Sequence, residues 1–177
     1  MSTMPLYDML AGTLEAVGFT GTSGIMTGIQ ETILRDILES AIVGKGIVVF
    51  HGGCIGVDRF VHNLCLRHGV LVEVFPSSKH DHWVTPPATY AWGRVHEPAP
   101  PLKRNRIIAE RTVGLVAVPA TETEVLRSGT WSTVRYARKV NKPVVLLLPS
   151  GAVKLERIYD DEVVTHPADG IVPPDGV

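Results

Sequence analysis

Cysteine is scarce in this chain: Cys54 and Cys65 are the only two among 177 residues. One falls in a glycine-rich turn and the other on the apolar face of the helix expected after it, so no disulfide framework is indicated and both read as free thiols. Charge of one sign is lacking too. A formal net charge of −1 provides no global field to draw in a polyanion, so nucleic acid is an unlikely partner unless a local basic patch supplies the attraction. No apolar run reaches the roughly 18 to 20 residues of a membrane span, so no membrane partner is expected. The opening MSTMPLYDMLAG has no basic start followed by a long apolar stretch, which makes the cytoplasm the expected compartment. CxxC and HExxH spacings are absent. His80-Asp81-His82 is a run of loop neighbours, a poor geometry for a complete coordination shell, so no metal is expected. No internal repeat is visible.

What is present suits an ordinary globular protein, with 45% hydrophobic and 20% charged residues. A chain of this length buries roughly 70% of its unfolded surface without disulfides or metals. One domain is expected over residues 1–177, with a core at about 16–149, a long loop at 76–102 and a C-terminal tail at 150–177.

The chain is organised around IVVFHGGCIGVD, residues 47–58. Ile47, Val48, Val49 and Phe50 form an uninterrupted apolar run that reads as a strand buried on both faces. Gly52, Gly53 and Gly56 then remove Cβ where the backbone must bend sharply or admit a ligand to its N–H groups. From Val57 the period becomes helical through Val61, Leu64, Cys65 and His68, with Asp58 in the first turn. Strand, glycine turn and helix N-terminus together suit an anionic or ribose-bearing ligand, because free N–H groups and the positive end of the helix dipole converge. The turn is neither GxGxxG nor GxxxxGK[ST], so the rest of the chain has to supply the specificity.

Residues 1–15 read as a lead-in helix or arm, and Val17 to Thr20 as a first strand. Gly21-Thr22-Ser23-Gly24 forms a second candidate ligand loop. Thr27 and Gln30 fit a capping box, after which Ile29, Ile33, Leu34, Ile37 and Leu38 lay an apolar stripe along a helix to about Ala41, with Glu31 and Arg35 as an i,i+4 pair. Val70 to Phe75 reads as a third strand. Residues 76–102 carry six prolines together with His80, His82, Trp83, Tyr90, Trp92 and Arg94, and read as a lid, a partner surface or a packed proline-rich excursion. Lys103 opens a short helix through Ala109, Leu115 to Val118 is a fourth strand, Ser128-Gly129-Thr130 leads a helix to about Val140, and Val144 to Leu148 is a fifth strand. The tail shows only one further candidate strand, near Val163. This alternation predicts an α/β Rossmann-like three-layer sandwich with a mostly parallel five-stranded sheet of order 3-2-1-4-5.

Three segments in order, HGGCIGVD, KRNRIIAERTVGLVAVP and SGTWSTVRYARKVNKPVVLLLP, resemble the SLOG superfamily of Rossmann-like proteins over about residues 16–149. That superfamily includes the DNA-processing protein DprA, the LONELY GUY phosphoribohydrolases and small nucleotide sensors. The resemblance implies a nucleotide-type ligand at the C-terminal ends of the strands, held by Gly21 and Thr22, by Gly52, Gly53 and Asp58, by Arg104 and Asn105, and by Ser128, Gly129 and Thr130. The residue types suit that role. Ser128, Gly129 and Thr130 can offer N–H and O–H donors to a phosphate, Arg104 can pair with it bidentately, and Asp58 can accept from ribose hydroxyls.

The phosphoribohydrolases of that family carry PGGxGTxxE, whose carboxylate supports cleavage of the N-glycosidic bond. Here Gly129-Thr130 runs into Trp131, Ser132, Thr133 and Val134, so that carboxylate is missing unless Glu122 or Glu124 folds back to replace it. Binding, as a sensor or sequestering module, is therefore the leading expectation. A nucleotide N-glycosidic hydrolase is the alternative, and DprA-like DNA binding comes third. The basic run Arg94, Lys103, Arg104, Arg106 and Arg111 reads otherwise as a solvated helix face. Cys54 and Ser128 lack the base or the GxSxG elbow of an activated nucleophile. No cofactor is expected, and a homodimer stays open.

Overall fold

Strands and amphipathic helices alternate along the chain and stack into three layers. The computed structural model describes residues 15–79, 93–159 and 162–167. The elements are β1 (Ala16–Gly21), α1 (Gly28–Ala41), β2 (Val48–His51), α2 (Val57–Arg67), β3 (Val72–Val74), β4 (Gly93–Val95), α3 (Pro101–Arg111), β5 (Gly114–Val118), α4 (Gly129–Lys139), β6 (Val144–Leu147), β7 (Val153–Tyr159) and β8 (Glu162–Pro167). They build one sheet of order β4-β3-β2-β1-β5-β6-β7-β8.

The five strands expected from the sequence occupy the centre in the expected order, and all of them pair in parallel. Among the described residues the sheet nevertheless has eight strands rather than five. β4 adds in parallel to β3, while β7 and β8 add antiparallel beyond β6. β8 contains Val163, where the tail showed its candidate strand, whereas the sequences of β4 and β7 hide them. β4 is the tripeptide Gly-Arg-Val between proline-rich stretches, and β7 places Glu156 at a buried position where an apolar residue would have signalled a strand. Glu156 is tolerated there because Arg138 of α4 reaches it through Nε and Nη2 at 2.8 and 2.9 Å, a two-point pairing that satisfies both carboxylate oxygens.

Side-chain alternation sorts the core to the two faces of the sheet. Val49, Val116 and Val118 join Phe19, Ile33, Leu34 and Val61 under α1 and α2. Val48, Phe50, Leu115 and Ala117 join Ile108, Trp131 and Val134 under α3 and α4. Because β1 pairs with β2 on one side and β5 on the other, the chain reverses direction across the sheet at β1, and the loops leaving β1, β2 and β5 diverge over that point.

Helix α1 begins with the expected capping box: Thr27 Oγ1 accepts from Gln30 N–H, and Gln30 Oε1 accepts from Thr27 N–H at 3.1 Å. Gln30 does more than cap. It is buried, and its Nε2 donates to Pro119 O at 3.0 Å and Leu147 O at 3.1 Å, tying α1 to the ends of β5 and β6. Gln30→Met keeps the volume and removes all three bonds, so it is expected to cost about 2–4 kcal/mol by urea denaturation; a loss under about 0.5 kcal/mol would show that these bonds do not tie the layers. Arg35 lies over the Phe60 ring at 5.3 Å, so packing against α2 takes the place of the expected pairing with Glu31.

The lead-in segment before Glu15, and His80, His82, Trp83 and Trp92 of the long loop, fall outside the described residues. The two ends of that loop are stitched together, with Ser78 N–H donating to Ala99 O at 2.8 Å and Ala99 N–H to Pro76 O at 3.1 Å. No helix among the described residues is long and apolar enough to cross a membrane.

Candidate functional site

The loops after β1, β2 and β5, with the first turns of α3 and α4, enclose a crevice of about 250 Å³. Eight of the ten residues singled out from the sequence line it: Gly21, Thr22, Asp58, Arg104, Asn105, Ser128, Gly129 and Thr130. Thr20, Ser23, Cys54 and Ala120 complete the wall. Cys54 could have been found in the sequence, since it lies within the glycine turn. Thr20 and Ala120 simply adjoin strand ends.

Gly52 and Gly53 stand behind the wall, and their roles differ from what the glycine turn suggests. The N–H groups of Gly52 and Cys54 donate to Asp58 Oδ2 at 3.0 and 3.1 Å, and Gly53 N–H donates to His51 Nδ1 at 3.0 Å. The turn thus directs its donors inward, at its own carboxylate and histidine. Asp58 is nearly fully buried, and that burial pushes its carboxyl above the usual carboxylate range, opposed by the charge of Arg104 and by the two backbone donors. Burial, then Asp58, also pushes the Cys54 thiol up, which is the wrong direction for an activated nucleophile.

His51 is wholly enclosed, and its Nε2 lies 3.0 Å from His62 Nδ1. Since His51 Nδ1 accepts from Gly53, its ring proton is on Nε2 and is donated to His62, which makes both rings neutral. Burial first, then His62 and Arg104, press His51 down to about 3. This pair braces the turn from beneath, and nothing in the sequence pattern brings the two histidines together except their spacing across one βα unit.

Gly52 has a second function. A Cβ built on it would stand 1.4 Å from Arg104 Nη1, so the guanidinium lies directly against the glycine backbone. Arg104 donates through Nη2 to Cys54 Sγ at 3.6 Å, its Nε is enclosed without a hydrogen-bond partner, and it forms no ion pair among the described residues. Next to it Asn105 is only 8% exposed and Thr130 only 6%, and neither side chain has a hydrogen-bond partner among the described residues. Of the three, Arg104 Nε is the enclosed polar atom without a partner, and such atoms are normally paired.

The opposite wall is the start of α4. Ser128 caps it by accepting from Trp131 N–H at 3.3 Å, and the first backbone bond of the helix runs from Ser132 N–H to Ser128 O. The N–H groups of Gly129 and Thr130 precede that bond and are open to a ligand. A Cβ on Gly129 would meet nothing within 4 Å, so the approach is unobstructed.

Asp58 is the one carboxylate among the described lining residues. Glu122 accepts instead from Ser150 N–H and Oγ, and Glu124 is held by Arg135 at 3.0 Å and Arg138 at 2.7 Å. The polar insert therefore folds outward, away from the missing catalytic position. No group of three or more side chains suited to a metal occurs among the described residues.

A mostly parallel sheet of this order with its crevice over the reversal point is a Rossmann-like α/β fold. Solved structures share it. The chain is similar to the molybdenum cofactor binding protein of the phototrophic bacterium Rippkaea orientalis, at 24% identity over 76% of this chain and 77% of that one, with a TM-score of 0.57. It is similar to the Moco carrier protein of Chlamydomonas reinhardtii at 21% identity over 75% of each chain, with a TM-score of 0.54. DNA processing protein A (DprA) of Streptococcus pneumoniae matches at 19% identity and a TM-score of 0.59, over 78% of this chain but only 51% of the longer one. At these identities the likeness is one of fold. No protein-family model and no curated protein matches the sequence significantly.

Proposed function

We propose that this protein binds a nucleotide or nucleotide-derived small molecule in the crevice, with a phosphate between Arg104 and the start of α4. One observation carries the reading: Arg104 is held against Gly52 with its Nε enclosed and unpartnered, facing a helix start with open N–H groups. An arginine kept without an ion pair is costly unless an anion completes it. Asn105 and Thr130 supply further polar contacts, and Asp58, beside Arg104 at the same turn, supplies an acceptor. Solved structures of this fold that are described as binding or carrying a molybdenum cofactor support a small-molecule role over a structural one.

The test is a thermal-shift and calorimetric panel of nucleoside 5′-monophosphates. At about 100 times its dissociation constant a ligand raises stability by about 2.7 kcal/mol, readily visible in a melting curve. Arg104→Ala is expected to weaken binding about ten- to hundredfold while leaving the unliganded melting temperature unchanged or higher, because it removes an unsatisfied buried donor. Gly52→Ala should reproduce the affinity loss, since its Cβ displaces only the mobile end of Arg104. Chromatography is expected to find no released base. No shift with any nucleotide, or full affinity in Arg104→Ala, would overturn the assignment.

A further inference from the structure

Away from the crevice, the layer formed by α1 and α2 exposes apolar side chains to water. Ile25 in the β1 loop is 97% exposed, and Ile55, just before α2, and Leu66, on it, are 36% and 38% exposed. Ile25 and Ile55 flank an open cavity of about 490 Å³ between the starts of the two helices, together with Met26 and Phe60. Glu31 of α1 and Arg59 of α2 line the same cavity.

The two helices cross between parallel strands on one face of the sheet, so they lie side by side and run the same way. Arg35 of α1 lies over Phe60 of α2, and further along Glu39 meets His68 at 3.4 Å. Their exposed charges are of opposite sign. On α1 they are Glu31, Asp36 and Glu39; on α2, Arg59, Asn63, Leu66 and Arg67 share one face at helical spacing, and its charges are both basic. Glu31, Asp36, Arg59 and Arg67 form no ion pair among the described residues. Two uncommitted carboxylates on one helix thus stand beside two uncommitted guanidinium groups on the next. The opposite layer is different: on α3 and α4 the exposed Lys103, Arg106, Arg111 and Lys139 outnumber Glu110, so that face would repel a copy of itself.

We propose that the α1–α2 layer is the contact face between two copies of this chain, related by a two-fold axis that runs along the helices between them. Rotation about that axis lays α1 of each copy on α2 of the other with the starts of the helices together, so every contact occurs twice. Glu31 then faces the partner's Arg59, and the acidic outer turns of α1 face the partner's Arg67. Ile25, beside the cavity between the helices, lies near the axis and meets its own counterpart, covering apolar surface that a single copy leaves in water. A partner of one charge sign would suit one helix and be repelled by the other, whereas a second copy matches both. The apolar centre supplies affinity and the reciprocal charges set the register.

Sedimentation equilibrium tests this on the native chain and on variants at exposed positions, with far-UV circular dichroism to show that each is folded. The native chain is expected to be a dimer at about 100 μM, where a low-micromolar dissociation constant leaves little monomer. Ile25→Asp, Glu31→Arg and Arg59→Glu should each weaken dimerisation at least about tenfold, because each change acts twice. Mixing Glu31→Arg with Arg59→Glu in equal amounts should restore a dimer, since in the mixed pair each altered charge meets its opposite. A native monomer at that concentration overturns the proposal, and its cosedimentation with phosphatidylserine vesicles would assign the face to a lipid surface instead. A dimer indifferent to Ile25→Asp and Arg59→Glu overturns it in favour of another face. Variants that weaken the dimer singly but fail to associate when mixed overturn the reciprocal pairing of α1 with α2.

Discussion

Gly56→Ala is expected to cost about 3 kcal/mol or more, a large fraction of the roughly 5–15 kcal/mol that holds a domain of ordinary stability. Gly56 has φ +80° and ψ −127°, a conformation open to glycine and strained for any residue with a Cβ. The new Cβ would also stand 2.3 Å from Thr22 O and 2.9 Å from Gly24 O. Both are backbone atoms of the β1 loop, so no side-chain rotation relieves the contact. Thr22 O already accepts from Val57 N–H at 3.1 Å, and that bond locks the loops after β1 and β2 together at the crevice. Gly28→Ala provides the control, because its Cβ meets nothing within 4 Å and alanine is the better helix former. Urea denaturation of the two variants should differ by several kcal/mol. Equal midpoints would mean that the two loops yield easily and that the crevice is not preformed.

Acid is expected to destabilise the protein strongly between pH 6.5 and about 3. His51 is held neutral, its value pressed from 6.5 to about 3 chiefly by burial. In that interval the unfolded chain binds the proton and the folded chain does not, so stability is complete above pH 6.5 and falls as the pH drops towards 3. The gap corresponds to roughly 5 kcal/mol if fully realised, of which about 2 kcal/mol is lost by pH 5. His62 is lowered by burial and acts in the same sense. Asp58 acts in the opposite sense, because its raised carboxyl takes up a proton more readily when folded, and it offsets part of the loss at the acid end. Protonating His51 on Nδ1 would also turn away the Gly53 N–H, so the turn carrying Asp58 should loosen with it. Urea midpoints at pH 7.5 and pH 5 measure the slope. His51→Gln should be less stable at pH 7.5 yet show a shallower decline; an unchanged slope would assign the acid sensitivity to other groups.

Most of the central architecture was legible because it is local. Unbroken apolar runs such as Val48 to Phe50 and Leu115 to Val118 mark strands covered on both faces, and the 3.6-residue stripes of α1 and α2 mark the covering helices. Thr27 and Gln30 marked the start of α1 through a bond spanning three residues. The outer strands were less readable for a physical reason. β4 is a short, partly exposed tripeptide whose place depends on pairing with β3, and β7 buries Glu156, which only Arg138 on another element makes tolerable.

The sequence alone determined the order of the five central strands and the loops that meet at their ends, because hydrophobic period and glycine punctuation act over a few residues. Only the tertiary structure decided what those loops do there. Whether the N–H groups of Gly52 and Gly53 face a ligand or the protein depends on where Asp58 and His51 lie after the turn closes, and they face the protein. Arg104 of α3 lies against Gly52 just beyond β2, a contact between residues 52 apart in the chain that no local pattern encodes. Glu122 and Glu124 are drawn outward by Ser150, Arg135 and Arg138, partners supplied by other elements. Local pattern sets which backbone forms; the partner of each buried polar group is set by long-range packing, and at this crevice the packing leaves Arg104 Nε enclosed without a partner.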